Sequence, residues 1–180
     1  MQNHLTALRG YIEKEEKEKA INYISEINDI TCEKKELSSS GNINIDSILN
    51  YKLQEAQSKG ILISLELKIP YKLNISSLDT VVILGNLLDN AIEASFKVKN
   101  DKKIDIKIKY KNSILFIYIS NTFNSSIIYE GEKIRTTKED KGNHGIGLVN
   151  IENILKKYNG TMKIYHTENK FNVDILMYID

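Results

Sequence analysis

The stretch GNLLDNAIEAS, Gly85–Ser95, lies in an apolar run with helical periodicity and decides how the chain around it folds. Asn86, Asn90 and Glu93 interrupt the run at spacings of four and three residues, so they share one face of the predicted helix. Lysine, glutamate and glutamine suit a solvent-facing helical stripe better than asparagine does. An amide oxygen is a hard, uncharged ligand that suits Mg²⁺ alongside phosphate oxygens. The pattern therefore favours a ligand-binding face over an ordinary solvent-facing one.

The predicted helix extends over residues 76–98, with Ser76 or Ser77 as the N-cap and Asp79 near a capping-box position. Before it, residues 44–60 predict an amphipathic helix that ends at Gly60. Residues 61–69 alternate between apolar and polar side chains, as a half-buried strand does.

After the central helix, residues 103–110 and 114–120 alternate strongly and are separated by KNS, which predicts a hairpin. A helix follows over residues 144–158, and a second hairpin over residues 160–179. This order predicts an α+β fold of two layers, in which one mixed sheet carries three helices on one face.

Residues 1–36 have a helical pattern and are expected to form a separate segment, with 37–42 as a linker and 43–180 as the main domain. The charged stretch EKEEKEK inside this segment allows either a helical hairpin or one long helix. Its helix-favouring residues slightly favour continuity. The apolar stripe is narrow, so it needs a partner helix. The first residues already read as the middle of a helix, which suggests a piece cut from a longer protein.

Composition excludes several classes of function. The 180 residues carry a formal net charge of +1, which predicts no general attraction to nucleic acid or to an anionic membrane. Cys32 is the single cysteine, so an intrachain disulfide is impossible, and with three scattered histidines no zinc pattern is present. The chain has no apolar run long enough to cross a bilayer and does not open with a signal peptide. Its single cysteine suits a reducing cytosol, so this fragment is expected to be cytoplasmic, without direct membrane contact.

Residues 121–143 form a long polar stretch, a length that is usually functional when it lacks regular structure. It leads into KGNHGIGLVN, in which Gly142, Gly145 and Gly147 precede or open a helix. Backbone amides at such a helix start can approach a phosphate closely. The spacing matches neither a P-loop nor a dinucleotide-binding fingerprint. A nucleotide lid with Gly142 and Gly145 as hinges is the prediction, and a simple helix cap is the alternative.

Three boxes in order, NLLDNAIEA, YISNTF and TTKEDKGNHGIGLVNI, resemble the ATP-binding domain of the GHKL superfamily, which includes gyrase, chaperone, mismatch-repair and histidine-kinase ATPases. The resemblance covers about residues 42–180 and is greatest to sensor histidine kinases of the quorum-sensing peptide-receptor type. It implies a Bergerat-type fold that binds ATP and Mg²⁺, preceded by a dimerisation hairpin.

The resemblance also implies roles for individual residues. Asn90 is the expected Mg²⁺ ligand, Asn86 a partner on the phosphate or metal side, and Glu93 a residue that borders the nucleotide or holds the lid. Asn121 replaces the aspartate that accepts a hydrogen bond from the adenine amino group in most relatives. Lys138, with Arg135 as runner-up, is the expected lid charge. The remaining expected ATP contacts are Gly142, His144, Gly145, Ile146, Gly147 and Leu148.

The chain departs from the family pattern in two places. TFNSS follows Asn121 where the wider family has a glycine pair, which puts adenine affinity in doubt. MQNHL matches only the tail of the phosphoacceptor box, so His4 is the second histidine of that box and a disfavoured acceptor. The expected parent is a membrane sensor that dimerises through residues 1–36, weakly or not at all in this piece, and passes a phosphoryl group to a response regulator. The alternatives are a non-kinase nucleotide-binding or phosphotransfer module and an anti-sigma-type serine kinase, the latter disfavoured by the helical segment 1–36.

Overall fold

The computed structural model describes residues 2–28, 37–124, 128–130, 133–135 and 146–180. The chain divides into two compact units, Met1–Lys35 and Glu36–Asp180. In chain order the elements are α1 (Gln2–Glu13), α2 (Lys17–Asn28), α3 (Ile43–Ser58), β1 (Leu62–Lys68), α4 (Ser77–Phe96), β2 (Lys103–Lys111), β3 (Ile114–Thr122), β4 (Ile128–Glu130), β5 (Lys133–Arg135), α5 (Ile146–Lys157), β6 (Thr161–His166) and β7 (Lys170–Tyr178).

The first unit is a helical hairpin, as the resemblance implied, and not the continuous helix that residue propensities slightly favoured. Helix α1 ends in a Schellman motif, in which Glu16 N–H donates to Tyr11 O at 2.9 Å and Glu15 N–H donates to Ile12 O at 3.0 Å. Glu15 adopts a left-handed conformation with φ 58°. Glycine usually occupies this position, and its absence is why the sequence carried no signal for the turn.

Helix α3 begins at the N-cap Asn42, whose side chain accepts a hydrogen bond from Ile45 N–H at 3.2 Å. The residues before it, expected to be a linker, are bound to this helix. Asp46 accepts from Ser38 Oγ at 2.6 Å and from the amides of Ser40 and Gly41. Burial raises the pKa of the Asp46 carboxyl, but these hydrogen bonds outweigh it, so its pKa lies below the ordinary value. The first turn of α3 therefore orders the chain that leads into it.

The main sheet has five strands in the order β1-β2-β3-β7-β6. Strands β1 and β2 are parallel, and the remaining neighbours are antiparallel. Strands β2 and β3 are joined by Asn112 and Ser113, both with positive φ, as a two-residue hairpin turn requires. The predicted hairpins and the mixed sheet are confirmed.

One face of this sheet packs against α3, α4 and α5. Alternate residues of β2, β3 and β7 point into a single apolar core, and each helix contributes a buried stripe. The expected two-layer α+β fold with three helices on one face is therefore confirmed. The fully buried large side chains are Ile45, Leu49, Ile83, Leu84, Leu88, Ile92, Ile104, Ile106, Ile108, Leu115, Ile119 and Ile151.

The start of α4 differs from the capping-box expectation. Ser76 is the N-cap but makes no side-chain capping hydrogen bond. Asp79 accepts instead from Tyr158 Oη at 2.8 Å and from Lys157 Nζ at 3.0 Å, at the end of α5. These two long-range hydrogen bonds take the place of the expected local capping contact and connect the start of α4 to the end of α5.

The stretch expected to be a loop from residue 121 begins later and contains regular structure. Strand β3 continues to Thr122, and β4 and β5 pair as a short antiparallel ribbon. Within the described ranges, no helix combines the length and the apolar character that crossing a membrane requires.

Candidate functional site

Helix α4 has two chemically distinct sides. Leu84, Leu87, Leu88, Ala91 and Ile92 are buried in the core. Asn86 and Glu93 are half-buried, and Asn90 is exposed. The spacing of four and three residues places these three polar side chains on one face, named here the α4 stripe. The core thus fixes the backbone of α4 while the stripe remains accessible.

Asn86 connects the α4 stripe to the first turn of α5. Its amide nitrogen donates to Val82 O at 2.7 Å, one turn back in α4. A Cβ atom built on Gly147 would lie 2.6 Å from Asn86 Oδ1, closer than any side chain tolerates. Glycine at 147 therefore lets the backbone of α5 approach the asparagine. This contact brings together two residues that the sequence placed in separate motifs.

Asn90 has a free side chain within the part of the chain that the structure describes. It lies one turn beyond Asn86 and makes no hydrogen bond to any described residue. An exposed amide oxygen on a rigid helix fits a hydrated Mg²⁺, which keeps several waters and accepts a few protein or phosphate oxygens. No cluster of three His, Cys, Asp or Glu side chains suited to a metal occurs among the described residues. The α4 stripe offers the amide oxygens of Asn86 and Asn90 together with the Glu93 carboxylate, and oxygen ligands of this kind fit Mg²⁺.

Two carboxylates accompany the amides, and both are paired with lysine. Glu93 Oε1 lies 3.0 Å from Lys97 Nζ, one turn later in the same helix. Asp89, which the sequence analysis did not single out, contacts Lys52 Nζ from α3. Burial lowers the pKa of Lys52, but the hydrogen bond and the charge of Asp89, with Glu55, outweigh it and raise the pKa above its ordinary value. Lys52 is therefore firmly protonated at neutral pH.

Asn121 lies in β3 and is 4% exposed. It follows the core residues Ile117 and Ile119 at intervals of two along the strand, so its side chain lies on the same face of the sheet and points toward the helix layer. The amide nitrogen donates to Thr122 O at 2.9 Å, and Ser95 Oγ, from the last turn of α4, donates to the same oxygen at 3.2 Å. Asn121 is thereby held beside the end of α4, and its carbonyl oxygen is the acceptor that remains.

The other predicted site residues divide into two groups. Ile146 begins α5, and Leu148 is partly buried against the core. Lys138, Gly142, His144 and Gly145 lie outside the described residues.

Two further candidates belong to other elements of the chain. Arg135 ends β5. His4 belongs to the first unit, where it is exposed and its Nδ1 lies 3.1 Å from Tyr23 Oη.

Solved structures with a similar backbone are histidine kinases. The catalytic domain of histidine kinase ThkA aligns with a TM-score of 0.61 and 20% identity, covering 77% of this chain and 94% of that one. Histidine kinase AdeS of Acinetobacter baumannii aligns with a TM-score of 0.57 and 13% identity, over 99% of this chain and 96% of that one. At these identities the likeness establishes the fold alone.

Two curated relatives are probable C4-dicarboxylate sensor kinases. The Bacillus subtilis protein is 33% identical in an alignment 94 positions long that covers 48% of this chain and 17% of the relative. The Halalkalibacterium halodurans protein is 26% identical in an alignment 184 positions long, gaps included, that covers 95% of this chain and 33% of the relative. The chain thus spans a third or less of the length of these relatives. The model of the GHKL domain matches residues 75–178, and the chain belongs to this family.

Proposed function

We propose that this chain is the ATP-binding part of a two-component sensor histidine kinase. The observation that carries the proposal is the α4 stripe. A core helix presents Asn86 and an Asn90 that makes no hydrogen bond to any described residue, and Gly147 lets the start of α5 pack against Asn86. A helix N-terminus beside uncharged oxygen ligands suits a polyphosphate that carries a divalent ion.

In this proposal Asn90 is the protein ligand of Mg²⁺, and Asn86 positions the phosphate side of the nucleotide. Ile146, Gly147 and Leu148, in the first turn of α5, supply backbone amides to the phosphates. Asn121 accepts from the adenine amino group through its carbonyl oxygen, and Glu93 borders the nucleotide. The proposed lid contacts are Lys138, Gly142, His144 and Gly145, with Arg135 as the alternative cation.

The chemistry asked of these residues is mainly positioning and neutralisation of charge. Bound Mg²⁺ supplies charge neutralisation at the phosphate oxygens. The α4 stripe, fixed by the core behind it, orients the terminal phosphate for in-line attack by a histidine. In the whole kinase the phosphoryl group then passes to an aspartate of a response regulator.

The wider setting is proposed from the relatives, which are sensor kinases. The parent would be a membrane sensor with this part in the cytoplasm, dimerising through the helical hairpin of residues 1–36. Residues 37–42 join the hairpin to the ATP-binding domain over 43–180. Assignment to the quorum-sensing peptide-receptor branch remains a prediction from the resemblance.

Asn90→Ala tests the proposal. The variant should lose Mg²⁺-dependent binding of trinitrophenyl-ATP while its melting temperature stays within about 2 °C of wild type, because an exposed residue away from special features contributes little to stability. Asn153→Ala is the matched control, since Asn153 is an exposed asparagine on α5. It should bind the analogue as wild type does.

Two results would count against this function. If Asn90→Ala unfolds the domain, the asparagine is structural and the α4 stripe is not a metal face. If the wild-type chain fails to bind the analogue at high micromolar concentration, the kinase assignment fails, and a non-kinase module of the same fold takes its place.

A further inference from the structure

Lys52 of α3 carries a charge that the proposed function does not use. Its side chain is 13% exposed, whereas the Asp89 side chain that it contacts on α4 is 57% exposed. Lys52 Nζ also lies 3.3 Å from Glu55 Oε2. Fixing a long, charged side chain between two helices is unfavourable in free energy, because rotamer entropy and hydration are lost. An ion pair with an exposed partner contributes little stability in return. Stability alone is therefore a weak reason for this arrangement.

Asp89 flanks the α4 stripe on the side of Asn86 and Glu93. It follows Asn86 by three residues and precedes Glu93 by four, whereas Asn90, the next residue, is turned about 100° away around the helix axis. Glu93, the other carboxylate on this face, is paired locally with Lys97. Without Lys52, Asp89 would place an uncompensated negative charge beside the position proposed for a polyphosphate. Such a carboxylate repels a polyphosphate bound along the same helix, and because the Asp89 side chain is 57% exposed, solvent and salt screen part of that repulsion.

We infer that Lys52 is a positioning residue that neutralises Asp89 and so keeps the α4 stripe receptive to the anionic tail of its ligand. The inference rests on the proposed function, because it concerns the same nucleotide site. Lys52 acts through Asp89 and is not itself placed against the nucleotide. Its effect therefore depends on the charge of Asp89 and on the charge of the ligand.

Lys52→Met tests this dependence by removing the charge and keeping most of the stem. It should weaken binding of trinitrophenyl-ATP with Mg²⁺ about tenfold, equivalent to about 1.4 kcal/mol. Adding Asp89→Asn should restore the affinity to within about twofold. Raising KCl from 50 to 500 mM should shrink the loss, because salt screens the repulsion. Binding of uncharged adenosine, followed by ligand-observed NMR, should be the same in the wild type and the variant.

Lys59→Met is the matched control. Lys59 pairs with the same Glu55, at 2.7 Å, and among the described residues it forms no ion pair with Asp89. Its affinity for the analogue should stay within about twofold of wild type. If Lys52→Met unfolds, Asp89→Asn alone decides: it should bind the analogue as tightly as wild type or more tightly.

Several outcomes would overturn the inference. The inference fails if Lys52→Met and Lys59→Met bind trinitrophenyl-ATP equally well, or if adding Asp89→Asn to Lys52→Met does not restore binding. It also fails if Lys52→Met loses as much affinity for adenosine as for the analogue, or if Asp89→Asn alone binds the analogue fivefold more weakly than wild type. If the wild-type chain binds trinitrophenyl-ATP and one of these appears, the inference fails while the proposed function stands. If wild type does not bind at all, the proposed function fails first.

Discussion

At the scale of single residues, Gly147 brings the glycine-rich start of α5 into contact with Asn86 of α4. An alanine Cβ at this position would meet Asn86 Oδ1 at 2.6 Å, so the asparagine would have to leave its rotamer and its hydrogen bond to Val82 O. Gly147→Ala should leave the unfolding free energy within about 1 kcal/mol of wild type, because the gain of about 0.5–1 kcal/mol from alanine in a helix offsets the lost hydrogen bond, and it should weaken nucleotide binding more than tenfold. Urea unfolding followed by circular dichroism, with a titration of trinitrophenyl-ATP, measures both effects.

Gly85→Ala is the matched substitution in α4. A Cβ at Gly85 meets nothing within 4 Å. Because glycine is a poor helix former, this change should stabilise the domain by about 0.5–1 kcal/mol and leave nucleotide affinity unchanged. Equal effects of the two alanine substitutions would show that the contact between Gly147 and Asn86 has no particular role.

At the scale of elements, Asp79 ties the start of α4 to the end of α5. It is 7% exposed and accepts from Lys157 and Tyr158. Burial raises the pKa of this carboxyl, but the two hydrogen bonds outweigh it and hold the pKa below its ordinary value of 3.8. Asp79→Asn should cost about 1–3 kcal/mol at pH 7, because a buried hydrogen-bond network loses its charged acceptor.

The pH dependence of this loss has a definite sign. The ionised carboxylate stabilises the fold fully above the unfolded-state value of 3.8, and the contribution is lost as pH falls through the lower folded-state pKa. The difference in unfolding free energy between wild type and Asp79→Asn should therefore shrink below about pH 3.9. Tyr158→Phe, which keeps Lys157 beside Asp79, should retain most of the acid dependence. A difference that grows on acidification would contradict this assignment.

The same elements show how far sequence reasoning reaches. Periodicity located α4, both hairpins and the α4 stripe, because each pattern is local and repeats along the chain. The partners of Asp79 are Lys157 and Tyr158, which lie 78 and 79 residues away along the chain, so a local capping rule could not find them. The sequence left the hairpin turn at Glu15 undecided between a turn and a continuous helix, because the left-handed residue of that turn is not glycine. Lys52 carried no motif at all, and packing of α3 on α4 alone placed it beside Asp89.

At the scale of the Glu36–Asp180 unit, the layered fold accounts for the position of the proposed site. The sheet uses one face to bury the three helices, and α4 lies between α3 and α5. A central helix packed by neighbours on both sides has a rigid backbone, so its remaining polar stripe is pre-organised. Asn121 reaches the same helix from β3 through the Thr122 carbonyl. Groups separated by more than 30 residues are thus held on one framework without a dedicated loop.

This framework predicts that ligand binding and stability of the domain are coupled through Mg²⁺. A ligand that binds the folded state alone raises the unfolding free energy by about 2.7 kcal/mol at one hundred times its dissociation constant. ATP with Mg²⁺ should therefore raise the melting temperature of the wild-type chain by several degrees. Removing the ion with EDTA should reduce this shift to the value that Asn90→Ala shows with Mg²⁺ present, because both changes delete the same metal contact. Differential scanning calorimetry of the wild type and of Asn90→Ala, each with ATP and either Mg²⁺ or EDTA, measures these shifts. If the shift in melting temperature of Asn90→Ala still depends on Mg²⁺ as it does in the wild type, the ion binds to other ligands.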